Sequence, residues 1–120
     1  MIKTHRDLKV WQEAMTLVKE IYQLTSAFPR EELYGLSAQL RRSAVSVPCN
    51  IAEGAARSSK KEFLQFLSVA RGSLSELETQ VIIAKELGYV ETIDFLQSRT
   101  QNLFKLIGGL VNKLKDRGSD

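Results

Sequence analysis

The chain is 120 residues long, 43% hydrophobic and 26% charged, with a formal net charge of +3, which suits one packed domain over 1–120 and excludes a disordered polyelectrolyte. One cysteine, Cys49, and one histidine, His5, exclude an internal disulfide and a Cys/His zinc centre within one chain. No apolar signal region opens the sequence, and its longest aliphatic run, residues 81–84, falls far short of the ~20 residues a membrane span needs. A cytoplasmic protein with no cofactor and no membrane contact is therefore expected.

The first periodic segment places Val10, Ala14, Leu17, Ile21, Leu24 and Phe28 on one stripe, which predicts a helix over about 7–28. Asp7 is its expected N-cap, and Pro29 disfavours helical geometry at Phe28. A second stripe, Trp11, Met15, Val18, Tyr22 and Thr25, lies beside the first. One seam fills a bundle interior, so the second either widens the buried face or docks another subunit.

After the loop PREELYG, residues 37–56 predict a second helix with Leu40, Ala44, Val47, Ile51 and Ala55 inward. Pro48 falls within it. A proline there removes a backbone donor and clashes with the carbonyl four residues back, at ~3 kcal/mol, so a kink favoured by its surroundings is expected. Cys49, among small residues, is expected to be a packed thiol. Ser43, Ser46, Asn50, Glu53 and Arg57 form a polar row at helical spacing, either a solvated face or a hydrogen-bonded interface.

Ser59 and Glu62 form a capping-box pattern before a third helix over about 60–87, whose stripe is Phe63, Leu67, Ala70, Leu74, Leu77, Val81 and Ala84. Gly88 is the expected left-handed terminator. The fourth helix, about 92–116, repeats the step through Ile93, Leu96, Thr100, Leu103, Ile107, Leu110 and Leu114, broken only by Gly108 and Gly109. No strand pattern competes. Four amphipathic helices with short connections predict an all-α, antiparallel up-down-up-down four-helix bundle.

On such a bundle the charges separate by end. Lys3, Arg6, Lys9, Arg57, Lys60, Lys61, Lys113, Lys115 and Arg117 share one end with five acids, a net of +4, while the opposite end carries three cations against six acids, a net of −3. Helix termini account for part of this, since cations favour C-termini and anions N-termini. Lys60 and Lys61 sit at the start of helix 3, where the dipole opposes them, and point instead to an anionic partner. The nine cations are candidate nucleic-acid contacts; the alternative is a solvated charged rim. No base-reading motif or exposed aromatic platform is evident.

Catalytic patterns are absent. His5 has no triad context, no histidine lies in a predicted helix to build a di-iron centre, and Gly54 precedes no Lys-Ser or Lys-Thr pair. Glu76 and Gln80 share a helix face and read as a structural network with Arg41 or Arg42 rather than as acid–base groups. No enzyme activity is expected.

The segments HRDLKVWQEAMTLVKEIY, FPREELYGLSAQLRRSAVSVPCNIAEGAAR and SKKEFLQFLSVARGSLSELETQVIIAKELGYV closely resemble the family of large-subunit (23S) rRNA intervening-sequence proteins. The likeness spans nearly the whole chain and is specific at Trp11, Gly35, Gln39, Arg41, Arg42, Ser46, Pro48, Asn50, Glu53, Gly54, Phe63, Ser73, Glu76 and Gln80. Cys49 departs from it, where serine or alanine is commoner. The resemblance implies a bundle assembled as a ring-shaped homopentamer. The family also includes basic accessory proteins of diversity-generating retroelements, which bind nucleic acid and associate with a reverse transcriptase. Candidate interface or structural residues are Trp11, Met15, Val18, Tyr22, Arg41, Arg42, Ser46, Pro48, Asn50 and Glu53. Two functions follow as expectations: a non-catalytic, self-associating RNA- or DNA-binding accessory protein, or a scaffold for a protein partner without nucleic-acid contact.

Overall fold

The computed structural model describes residues 4–116. Within them the chain is all-α: α1 (Lys9–Thr25), α2 (Leu36–Ala55), α3 (Lys60–Glu86) and α4 (Asp94–Asp116), with 3-10 turns at His5–Asp7 and Arg30–Glu32. Each helix packs on its neighbours in sequence, and α1 closes against α4. Among the described residues, no helix is long and apolar enough to cross a membrane.

α1 is shorter than its periodicity predicts at both ends. Asp7 does not cap it. Instead Thr4 accepts from the Arg6 amide at 3.1 Å while the Asp7 carboxylate accepts from the Thr4 amide at 3.2 Å, a reciprocal box that closes the 3-10 turn. Leu8 is then extended, and α1 starts at Lys9. At the other end the Thr25 hydroxyl donates to the Ile21 carbonyl at 2.8 Å, and the chain leaves the helix through a turn in which the Phe28 amide reaches Thr25 O. Phe28 keeps its apolar role without helical geometry: it is buried, 5.4 Å from the Tyr89 ring.

The predicted inner stripes form the core. Leu17, Ile21, Leu40, Val47, Ile51, Leu67, Leu74, Leu77, Leu103 and Ile107 are essentially inaccessible. Each such side chain contributes roughly 1.5–3 kcal/mol by leaving water, enough to hold helices that are marginal alone. Pro48 belongs to the buried face of α2, which continues through it to Ala55, and Ala55 itself is only half-buried. Cys49 is exposed rather than packed: Val47, Pro48 and Ile51 take the inner face, so position 49 turns outward with Val45.

Two close features join the helices. Gly54 on α2 is buried because Phe63 and Phe66 of α3 occupy the space a side chain would need. At the end of α3, Gly88 has φ +81, and the Tyr89 and Gly88 amides reach the Ala84 and Lys85 carbonyls at 2.9 Å, a Schellman termination as predicted. Ser59 starts α3 by accepting from the Glu62 amide at 3.2 Å.

Candidate functional site

The basic residues gather in two clefts on either side of the C-terminal half of α4. One, of about 550 Å³, brings Lys9 of α1 together with Lys105 and Lys113 of α4 over Leu106 and Leu110. The other, of about 490 Å³, brings Lys60 and Lys61 of α3 to Lys115 of α4 over Leu64 and Leu114. Lys105, which the end-by-end charge count leaves in the middle of the chain, joins the first cleft because it lies two turns before Lys113 on one face of α4. Arg6 is exposed in the 3-10 turn. Lys3 and Arg117 lie outside the described residues.

Arg57 is already engaged. Its guanidinium lies 2.7 Å from Glu53 Oε2, one turn earlier, and 4.8 Å from the centre of the Phe66 ring. Both charged partners are well exposed, so the pair is worth only a few tenths of a kcal/mol, and Arg57 can still turn toward a phosphate. His5 packs edge-on against Trp11 at 5.1 Å, a structural contact.

The polar row of α2 is not simply solvated. Its first half forms a seam with α3: Ser46 and Ser73 hydroxyls share a hydrogen bond of 2.7 Å, Ser43 donates to Glu76 at 3.3 Å, and the Asn50 amide donates to the Ser46 carbonyl and hydroxyl at 2.8 and 2.9 Å. The α3 half of this seam, Ser73, Glu76 and Gln80, repeats at helical spacing opposite Ser43, Ser46 and Asn50; that match between two polar rows is the sequence signal for their pairing. Only Glu53 and Arg57 stay at the surface.

Beside this seam opens a cleft of about 850 Å³, lined by residues of α2 and α3 and by Tyr22 of α1. Arg41 is fixed there, its Nε donating to Thr25 Oγ1 at 2.8 Å and its guanidinium 4.7 Å above the Tyr22 ring. Arg42 and Glu76 also line the cleft. Gln80 is 6% exposed, and its Oε1 has no hydrogen-bond partner. The second stripe of α1 divides: Trp11 and Val18 pack against the core, whereas Met15 and Tyr22 are exposed.

The family model for 23S rRNA-intervening sequence proteins matches residues 6–109. The chain belongs to that family. No curated relative matches it. Of the residues that carry the likeness to 23S rRNA-intervening sequence proteins in α2 and α3, Gln39, Arg41, Arg42, Ser46, Asn50, Ser73, Glu76 and Gln80 line one cleft, whereas Pro48, Glu53, Gly54 and Phe63 lie outside it. Apart from Lys105, in the middle of α4, the lysines of the basic clefts lie at or near helix ends.

Proposed function

We propose that this 23S rRNA-intervening sequence protein is a non-catalytic, self-associating accessory protein that binds the RNA backbone through its basic end. One observation carries the reading: lysines from α1, α3 and α4, distant in sequence, line two clefts flanking a single helix segment. Lys60 and Lys61 stand in the first turn of α3, where the helix dipole disfavours cations, so helix capping does not account for them. Phosphate binding does.

In this reading the helices run up-down-up-down. Arg41 bonded to Thr25, Gly54 against Phe63, and Lys9 sharing a cleft with Lys113 support that order. The bundles assemble as a homopentameric ring, as the family resemblance implies, and the exposed Met15 and Tyr22 of α1 support burial of further surface between copies. Five aligned basic ends would present about +20, a strong attractor for a polyanion.

Replacing Arg57, Lys60 and Lys61 together by alanine is expected to weaken binding to a structured RNA by about tenfold or more at low salt, while Arg71→Ala, on the exposed middle of α3, leaves it unchanged. Equal affinity of the triple variant and the parent chain would overturn the assignment of the basic end.

A second reading has its own observation. Tyr34 is 92% exposed, and Phe95, Leu87 and Leu33 are exposed near helix ends rich in Glu31, Glu86, Glu91 and Asp94. An apolar, acidic surface suits a basic protein partner, such as a reverse transcriptase, and the protein would then act as a scaffold.

A further inference from the structure

The two basic clefts share α4 as a wall, and no aromatic side chain lines either one. The first holds Lys9, Lys105 and Lys113 beside Asp116, and the second holds Lys60, Lys61 and Lys115. Helix α1 closes the first and α3 the second. A helix diameter, roughly 10–12 Å, therefore separates the two rows of cations, and α4 is the ridge between them.

That ridge is bare. Gly108 and Gly109 are half-buried and exposed on α4, and among the described residues a Cβ on either would meet nothing within 4 Å. Gly109 stands one turn before Lys113, and Gly108 two turns before Lys115, so the pair links the two clefts. Glycine weakens a helix relative to alanine, and no packing among these residues asks for it here. Close approach of the helix backbone to a ligand does. Asn112, exposed one turn on, adds an amide that both donates and accepts.

These features discriminate between forms of RNA. A single strand would follow one cleft and stack its bases on aromatic rings, which neither cleft supplies. A duplex presents two phosphate strands on either side of a groove, one for each row of lysines. Held between α1 and α3 and trimmed to glycine, the ridge cannot enter a groove as deep as the major groove of DNA, about 8.5 Å. The minor groove of A-form RNA is wide and shallow and displays 2′-hydroxyls, a surface that a low ridge with one amide can follow.

We propose that the basic end takes double-stranded RNA, with α4 across the minor groove, one phosphate strand in each cleft and Asn112 at the 2′-hydroxyls. This rests on the backbone binding proposed above and names the form of RNA that it takes.

Fluorescence anisotropy on the full chain compares an RNA duplex of about 16 base pairs, which spans two successive minor grooves, with its separated strands and with the DNA duplex of the same sequence, all at one low salt concentration. The RNA duplex is expected to bind at least ~10-fold more tightly than any of the others. A single strand bound as tightly overturns the duplex assignment but leaves backbone binding standing. A DNA duplex bound as tightly overturns the placement in the RNA minor groove. No binding to any of them overturns both this inference and the reading beneath it.

Filling the ridge is the second measurement. Gly108→Leu with Gly109→Leu is expected to lower duplex affinity about tenfold without lowering the melting temperature, since leucine favours a helix. Gly72→Leu, at an equally open glycine in the exposed middle of α3, leaves affinity unchanged. A ridge variant that binds the duplex as the parent chain does would overturn the close approach across α4.

Discussion

A Cβ built on Gly54 would lie 2.8 Å from the Cβ of Phe66 and 2.9 Å from Cδ1 of Phe63. Helix α2 therefore approaches α3 at a distance that only glycine permits, and the contact ties the end of α2 to the start of the helix bearing Lys60 and Lys61. Gly54→Ala gains about 1 kcal/mol of helix propensity but forces the two phenylalanines apart in a packed region, an overpacking cost of about 1–3 kcal/mol. The Phe66 contact is at a Cβ, which cannot swing aside, so the cost prevails. Urea unfolding is expected to show a net loss of up to about 2 kcal/mol, and a stabilised variant would contradict the close approach.

Arg99 clamps α4 to α1. Its Nε and Nη2 reach the two Glu20 carboxylate oxygens at 2.6 and 2.9 Å, and Nη1 reaches Glu13 at 2.8 Å. These bonds, led by the one to Glu20, raise the guanidinium pKa above its ordinary value. The α1–α4 pair shares less surface than α2–α3, so this contact matters for that side of the bundle. Solvent reaches the cluster and screens it, yet a forked arginine is stronger than a lone surface pair. Arg99→Met is expected to cost about 1 kcal/mol, with a loss that shrinks in high salt; a variant of parental stability at low salt would remove the clamp from the account.

Glu32 joins the two loops at the opposite end. Its Oε1 accepts from the Leu36 amide at 3.0 Å, capping α2, and its Oε2 accepts from the Tyr89 hydroxyl at 2.8 Å. The Leu36 bond first, then the Tyr89 bond, hold the Glu32 carboxyl below the ordinary carboxylate range, while the bond to Glu32 raises the Tyr89 phenol. For Glu32 the stabilisation is complete above the ordinary carboxylate pKa and is lost as pH falls through its depressed value. For Tyr89 it is complete below the ordinary phenol pKa and is lost as pH rises through its raised value. The melting temperature should therefore decline on both flanks, and Tyr89→Phe should remove Tyr89's share of the alkaline decline and move the acid decline to higher pH. Profiles of identical shape for the two proteins would refute the coupling.

The helices were legible because their apolar residues repeat with the period that core packing requires, and Ser59 and Gly88 mark α3 by chemistry intrinsic to caps. The ends of α1 were less so. Asp7 has the right side chain for an N-cap, but Thr4 competes for it, and a one-dimensional pattern does not rank two overlapping boxes. Phe28 continues the apolar repeat by packing on Tyr89 from a turn, which periodicity alone cannot distinguish from a helix. The small size of Cys49 and its neighbours suggests burial, whereas its direction is set by Val47, Pro48 and Ile51, which take the inner face. The lysines of the basic end could be found from charge and helix order. The α2–α3 cleft could not, since Ser46 and Ser73 are 27 residues apart and only the packing of the two helices makes their rows one surface.

The claim that the basic end holds an RNA backbone is tested most directly by the salt dependence of affinity for a structured RNA, measured on the full chain by fluorescence anisotropy. Four to six phosphate contacts predict micromolar or tighter binding at low salt that weakens ~10²-fold or more between about 50 and 200 mM monovalent salt. An affinity indifferent to salt, or no binding at the lowest salt, would contradict it.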